Sequence, residues 1–346
     1  MQLIRLLTCY SGFMGSPRRT DIDAAKGLAI LLVVFGHLVA RADPAGVHWY
    51  EPLRRAVYAF HMPFFLYLSG MVAVLSGAVL APLSGWPKLC ASRATRLLVP
   101  FFGLGLLIIC GKLIAAHFMF VDNLPATLGA GLASLVWHTA VSPALSIWYL
   151  FVLFVVTLAT PLLLRGQARR WPLLTGVFLL LYLLPLPAYI YLDHIGRYAV
   201  FFALGVIAAV HETRWLALVD RIWPALFIAL LLVLAGIAAF GAAWPPALTL
   251  LPVGALSMPA LHGLVRRFSC NTAQVFLFLG RYSFMIYLFN TLFIGLAKGL
   301  LLRLTFWDGP HFPAFALALM AAGTLGPIML KHLVFRPIRT LDRLTD

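Results

Sequence analysis

Long apolar runs alternate with short polar segments along the whole chain. A helix crossing the hydrocarbon core needs about twenty apolar residues. On that basis the pattern predicts ten spans, near residues 27–40, 56–79, 97–119, 146–164, 172–192, 197–210, 222–240, 244–265, 282–301 and 313–335. The first and sixth are short, which suits a tilted helix or one surrounded by protein rather than lipid. Residues 126–142 are semi-polar and irregular, so they predict an amphipathic or re-entrant segment lining a cavity. No tandem repeat, low-complexity linker or soluble domain breaks the pattern. The predicted architecture is therefore an all-α, polytopic membrane protein with about ten transmembrane helices. It has a cytoplasmic tail over 1–19, one transmembrane domain over 20–335 and a cytoplasmic tail over 336–346.

Composition agrees. Of the 346 residues, 62% are hydrophobic and 11% charged, and the mean hydropathy is +0.96, whereas soluble domains carry about 25% charged residues. The formal charge of +15 could point to nucleic acid, but the basic residues sit in short clusters between apolar runs, as loop anchors do. With the N-terminus inside, the inner segments hold 19 of the 26 Lys and Arg residues, so both termini are predicted to be cytoplasmic. The N-terminal stretch is too weakly apolar for a signal peptide. The four cysteines are scattered, with no C-x-x-C or zinc spacing, so neither a disulfide framework nor a metal site is implied.

Candidate chemistry begins in the stretch from Thr20 to Leu38. Lys26 and His37 are eleven residues apart; in a helix, at about 100° per residue, that is within about 20° of three full turns, with a rise of about 16 Å. A cation at one membrane surface is thus aligned with a titratable nitrogen deep in the membrane. A histidine there is costly unless it faces a polar cavity, and its ordinary pKa of about 6.5 suits a general base; the bland alternative is a helix-packing hydrogen bond to a carbonyl. Asp21 and Asp23 can be simple helix-dipole partners, and Lys26 a surface snorkeler.

Four further blocks carry polar residues. In the block from Ala59 to Met71, His61 lies at the outer mouth of the second span, and Ser69-Gly70 allows a close backbone approach. Arg93 and Arg96 share a face at the inner end of the third span, as topology anchors or as a clamp for a phosphorylated ligand. Trp148 and Tyr149 fit an interfacial aromatic belt. Ser283, Tyr287 and Asn290 form one polar stripe, either as helix glue or as a ligand wall. No G-x-S-x-G elbow, Walker lysine loop or H-E-x-x-H occurs, which argues against hydrolases, NTPases and zincins of those types.

Taken together, K-G-L-A-I-L-L-V-V-F-G-H (26–37), F-H-M-P-F-F-L-Y-L-S-G (60–70), R-x-x-R-L-L-V-P (93–100), I-W-Y-L (147–150) and G-R-Y-S-F-M-I-Y-L (280–288) resemble the integral-membrane acyltransferase 3 family. The similarity is greatest to its fucose-4-O-acetylase-like branch. The resemblance runs in order from residue 20 to about 335, and Lys26 and His37 occupy the family's basic-residue, ten-residue-gap, histidine element.

The resemblance implies acyl transfer, usually of acetyl, from cytosolic acetyl-CoA to a hydroxyl of a sugar or glycan acceptor, with no metal. His37 would be catalytic. Lys26 is the second catalytic candidate and would help hold the donor phosphates or shape the donor channel, a role we extend to Arg93 and Arg96 from their charge and position; Asp23, His61, Ser69, Trp148, Tyr287 and Asn290 are donor- or acceptor-binding candidates. The implied partners are the acyl-CoA donor, the glycan acceptor and the lipid bilayer, with no nucleic acid; the implied location is a bacterial inner membrane. Acceptor identity and oligomeric state stay open. Two positions depart from the family pattern: lysine stands at 26 where arginine is common, and Asn290 where histidine is common. The rival reading is a transporter or flippase for a glycan or lipid-linked sugar, which ten spans and a deep histidine also suit.

Overall fold

The computed structural model describes residues 19–39, 46–118, 121, 123–241 and 244–345, without the side chains of 246 and 247. The tail predicted over 1–19 lies almost wholly outside them. Among the described residues the secondary structure is helices and short turns. In chain order the helices are α1 (Thr20–Gly36), α2 (Tyr50–Tyr58), α3 (His61–Leu75), α4 (Trp86–Arg93), α5 (Val99–Ala115), α6 (Leu128–Val136), α7 (Trp148–Leu164), α8 (Trp171–Leu183), α9 (Leu192–Val210), α10 (Glu212–Phe240), α11 (Pro246–Val265), α12 (Cys270–Arg281), α13 (Ser283–Leu301), α14 (Phe312–Leu330) and α15 (Arg339–Thr345). Every predicted span finds a helix, and among the described residues eight helical runs are long and apolar enough to cross a membrane.

The two predicted spans outside these eight runs are α1, with 17 residues, and α8, with 13; the sixth span, α9, has a full 19. The reason is local. Leu184 is extended (ψ 137°) because it precedes Pro185, and a residue before proline is pushed out of the helical region. Hydropathy continues through Leu184-Pro185-Leu186-Pro187 while the helix cannot. In turn α9 starts earlier than its apolar run, at Leu192, with Asp193 in its first turn, where an acid complements the helix dipole. The semi-polar stretch 126–142 forms α6, which starts on a Thr127 side-chain cap and packs on α5 through Gly131 and Ile109.

The helix α1 is the centre of the bundle. It packs against α12 most extensively, then against α3, α13, α11, α14 and α2. Backbones meet directly at two glycine pairs. A Cβ on Gly27 would fall on the Phe276 carbonyl and one on Gly280 on the Asp23 carbonyl; Gly70 and Gly205 stand in the same relation to Phe202 and Tyr67. Neither end of α1 is capped by its own flanking side chain. At its start Asp21 takes Arg19 (2.7 Å), His262 Nε2 (3.1 Å) and Arg266 (3.3 Å), and Arg19 also pairs with Glu212. The carbonyls left open at its far end are met from α2: Tyr50 donates to Phe35 O (2.7 Å) and Tyr58 to Gly36 O (2.8 Å). Among the described residues, Cys90 and Cys110 are free thiols.

Because nothing lies near a Cβ built on Gly103 while one on Gly280 meets backbone, Gly280→Ala is expected to destabilise the purified protein by about 1–3 kcal/mol and Gly103→Ala to leave it unchanged. Thermal unfolding in detergent reads both.

Candidate functional site

A cavity of about 720 Å³ opens at the end of the bundle where α1 begins. Its mouth carries six cations, Lys26, Arg93, Arg96, Arg281, Lys331 and Arg336, against two carboxylates, Asp23 and Asp342. Lys26 lies 3.4 Å from Asp23, and Lys331 pairs with Asp342 at 2.7 Å and with the Thr345 hydroxyl at 2.7 Å. Arg93 keeps a buried Nε that has no hydrogen-bond partner among the described residues, and the Arg96 guanidinium lies 5.9 Å over the Phe284 ring.

Two local irregularities shape this mouth. Arg96 sits in a π-helical turn (Ala94–Leu98) that joins α4 to α5, and Lys331 and His332 sit in another (Lys331–Phe335) that extends α14. Each widens the helix by a residue and so re-aims the side chains that follow; such turns recur at functional sites. Both line the cavity.

Deeper in, the walls carry Ser69, Leu153 and Thr157, and the cavity stops at three rings: Phe65, Tyr149 and Tyr287. Phe65 and Tyr149 are 6.0 Å apart edge-on, and Tyr149 and Tyr287 5.3 Å. Of the candidates read from sequence, Asp23, Lys26, Ser69, Arg93, Arg96 and Tyr287 thus meet in one cavity.

His37, His61, Trp148 and Asn290 do not line it. His37 is the residue that ends α1 rather than one inside it (φ −99°, ψ 2°). It is half-buried, close enough to His61 and Arg54 for their charges to interact. Its imidazole makes no hydrogen bond among the described residues. The packing bond to a carbonyl belongs instead to His61, whose Nδ1 donates to Val57 O (2.9 Å); a carbonyl can only accept, so this bond fixes the ring's tautomer. The His61 ring also stacks on Tyr58 at 4.9 Å. Trp148 is packed between His194 (4.7 Å) and Tyr198 (4.6 Å). Asn290 is buried, its Nδ2 donating to Ile286 O and Tyr287 O (2.9 and 2.8 Å) while its Oδ1 has no partner among the described residues.

Sequence reading missed four contributors. Arg281, Lys331 and Arg336 read as ordinary topology anchors, and Tyr149 as part of an aromatic belt. The signal available for Arg281 was its place inside the G-R-Y-S block.

The family model described as an acyltransferase domain, that of the acyltransferase 3 family, matches residues 19–332. Over shorter stretches the chain is similar to proteins named Nodulation protein NolL. Identity is 36% over 115 residues to that of Sinorhizobium fredii, covering 33% of this chain and 30% of that protein. For Mesorhizobium japonicum it is 36% over 85 residues, covering 24% and 22%. The alignments therefore span less than a third of either relative. No solved structure matches.

Diethyl pyrocarbonate acylates an imidazole nitrogen with a free lone pair. It is expected to modify His37 and spare His262, which is fully buried and bonded through both nitrogens. Peptide mass spectrometry after brief exposure checks the order, and His262 reacting ahead of His37 would contradict this assignment.

Proposed function

The chain belongs to the acyltransferase 3 family, an enzyme family that transfers acyl groups, and we propose that this member moves an acetyl group from cytosolic acetyl-CoA to a hydroxyl of a sugar or glycan. The observation that carries the donor assignment is the cavity itself: six cations around its mouth and a long interior walled by apolar and hydroxyl side chains. The nucleotide end of coenzyme A carries several phosphates, which guanidinium groups grip through charge-assisted bonds, and the orphaned Nε of Arg93 is a donor awaiting such an acceptor. The uncharged pantetheine arm suits the interior. It is long enough to bridge the about 16 Å rise from the level of Lys26 to that of His37.

His37 is the general base in this scheme. It removes the proton of an acceptor hydroxyl arriving from the far side; the oxygen attacks the thioester carbonyl, the carbon–sulfur bond breaks, and the imidazolium returns the proton to the leaving thiolate. The free imidazole of His37 supports this role better than that of His61, which is held by Val57. The sugar acceptor follows from the resemblance to the fucose-acetylase-like branch, and the bacterial inner membrane from the same source.

A general base is worth about 10²–10⁴-fold, so His37→Ala is expected to cut acetyl transfer by that factor while acetyl-CoA still binds. Arg93→Ala with Arg96→Ala is expected to weaken acetyl-CoA binding about 10–100-fold, the range for losing charged hydrogen bonds. Calorimetry on detergent-purified protein measures the second. Folded wild type that fails to bind acetyl-CoA would overturn the donor assignment in favour of a transporter.

A further inference from the structure

His37, His61 and Asn290 do not line the donor cavity. Of α1, only Asp23 and Lys26 reach the cavity, and of α13 nothing beyond Tyr287. The next candidates lie one helical turn past the floor: His61 is four residues before Phe65 on α3, and Asn290 three residues after Tyr287 on α13. His37 follows Gly36, whose carbonyl takes the Tyr58 hydroxyl, and Tyr58 stacks on His61. On α3, α7 and α13 the lining residues nearest the level of His37 are the rings Phe65, Tyr149 and Tyr287.

Two of these rings are held by their hydroxyls. Ser69 donates its only proton to Phe65 O (2.9 Å), so at 2.6 Å the hydroxyl of Tyr149 donates to Ser69 Oγ. Tyr287 donates to Ser146 O at 2.7 Å. Each bond ties a ring on one element to a partner on another: α7 to α3, and α13 to the turn before α7. One turn past Tyr287 lies Asn290 Oδ1, a buried acceptor with no hydrogen-bond partner among the described residues.

We propose that Tyr149 and Tyr287 are a gate between the donor cavity and the histidine pair, latched shut by the Ser69 hydroxyl and the Ser146 carbonyl. It opens to admit the acyl end of the donor, whose amide N–H groups then find Asn290 Oδ1. The donor's part in this rests on the function proposed above; the gate itself does not. A closed floor keeps water from the thioester and prevents a continuous aqueous path across the membrane.

The test places a thiol behind the gate and approaches it from in front. In inside-out membrane vesicles carrying His37→Cys in a chain whose native cysteines are replaced by serine, an anionic, membrane-impermeant thiosulfonate reaches position 37 only through the cavity. Labelling is expected to be slow with both tyrosines present. Tyr149→Phe with Tyr287→Phe removes only the latches and is expected to accelerate labelling about tenfold or more, the population shift released by two lost hydrogen bonds. Tyr287→Ala, which removes a ring, is expected to accelerate it further. Equal labelling in all variants, whether uniformly fast or uniformly slow, would overturn the gate. Acetyl-CoA is added last: if it slows labelling of the open variant, the donor occupies the cavity. If it does not while the tyrosine effect stands, the donor assignment fails and the gate survives.

Discussion

A carboxylate at the start of a buried helix has to be answered by positive charge, and the placement of α1 depends on how Asp21 is answered. Arg19, His262 and Arg266 converge on it. His262 passes the constraint on through its other nitrogen to the Tyr67 hydroxyl (2.8 Å), which also receives Trp215 Nε1 (2.7 Å), and Arg266 clasps Asp220 at 2.9 and 2.7 Å. One carboxylate thereby fixes α1 against α3, α10 and α11. Breaking such a buried pair from one side costs about 3–5 kcal/mol, so the start of α1 has little freedom to slide. With its far end held by Tyr50 and Tyr58, the depths of Lys26 and His37 are set together.

That anchoring needs close packing along the helix. Ala24, Ala25, Gly27 and Ala29 are all buried, and in a membrane small residues drive association by letting backbones approach. This is why α1, short for a span, holds the middle of the bundle: it meets protein on its sides rather than lipid.

Much of this was legible in the chain. Ten apolar runs became ten helices because hydropathy reads span location well, and it failed where proline vetoed the backbone, at Leu184. Lys26, Arg93 and Arg96 were legible as cavity candidates because cations near one membrane surface stand out against apolar runs. Lys331 and Arg336 were not, since only the π-helical turn at Lys331–Phe335 turns what looks like a surface anchor into a cavity wall. That His61 rather than His37 takes a carbonyl bond was not legible. Sequence cannot say which of two histidines a carbonyl will hold, because that depends on His61 lying four residues after Val57 while His37 follows the end of its own helix.

The make-up of the cavity floor follows from where it stands. A partition inside a bundle at low dielectric cannot easily be an ion pair, since moving it would expose two desolvated charges. Purely apolar rings would close the path but give it no defined closed position. Tyrosine combines a large apolar ring with one polar tip that needs a partner when buried. Tyr149 and Tyr287 each have one such partner on a different element. Opening either ring forfeits a single neutral hydrogen bond rather than a charge, which keeps the barrier low enough to cross on each turnover and high enough to leave the resting floor shut.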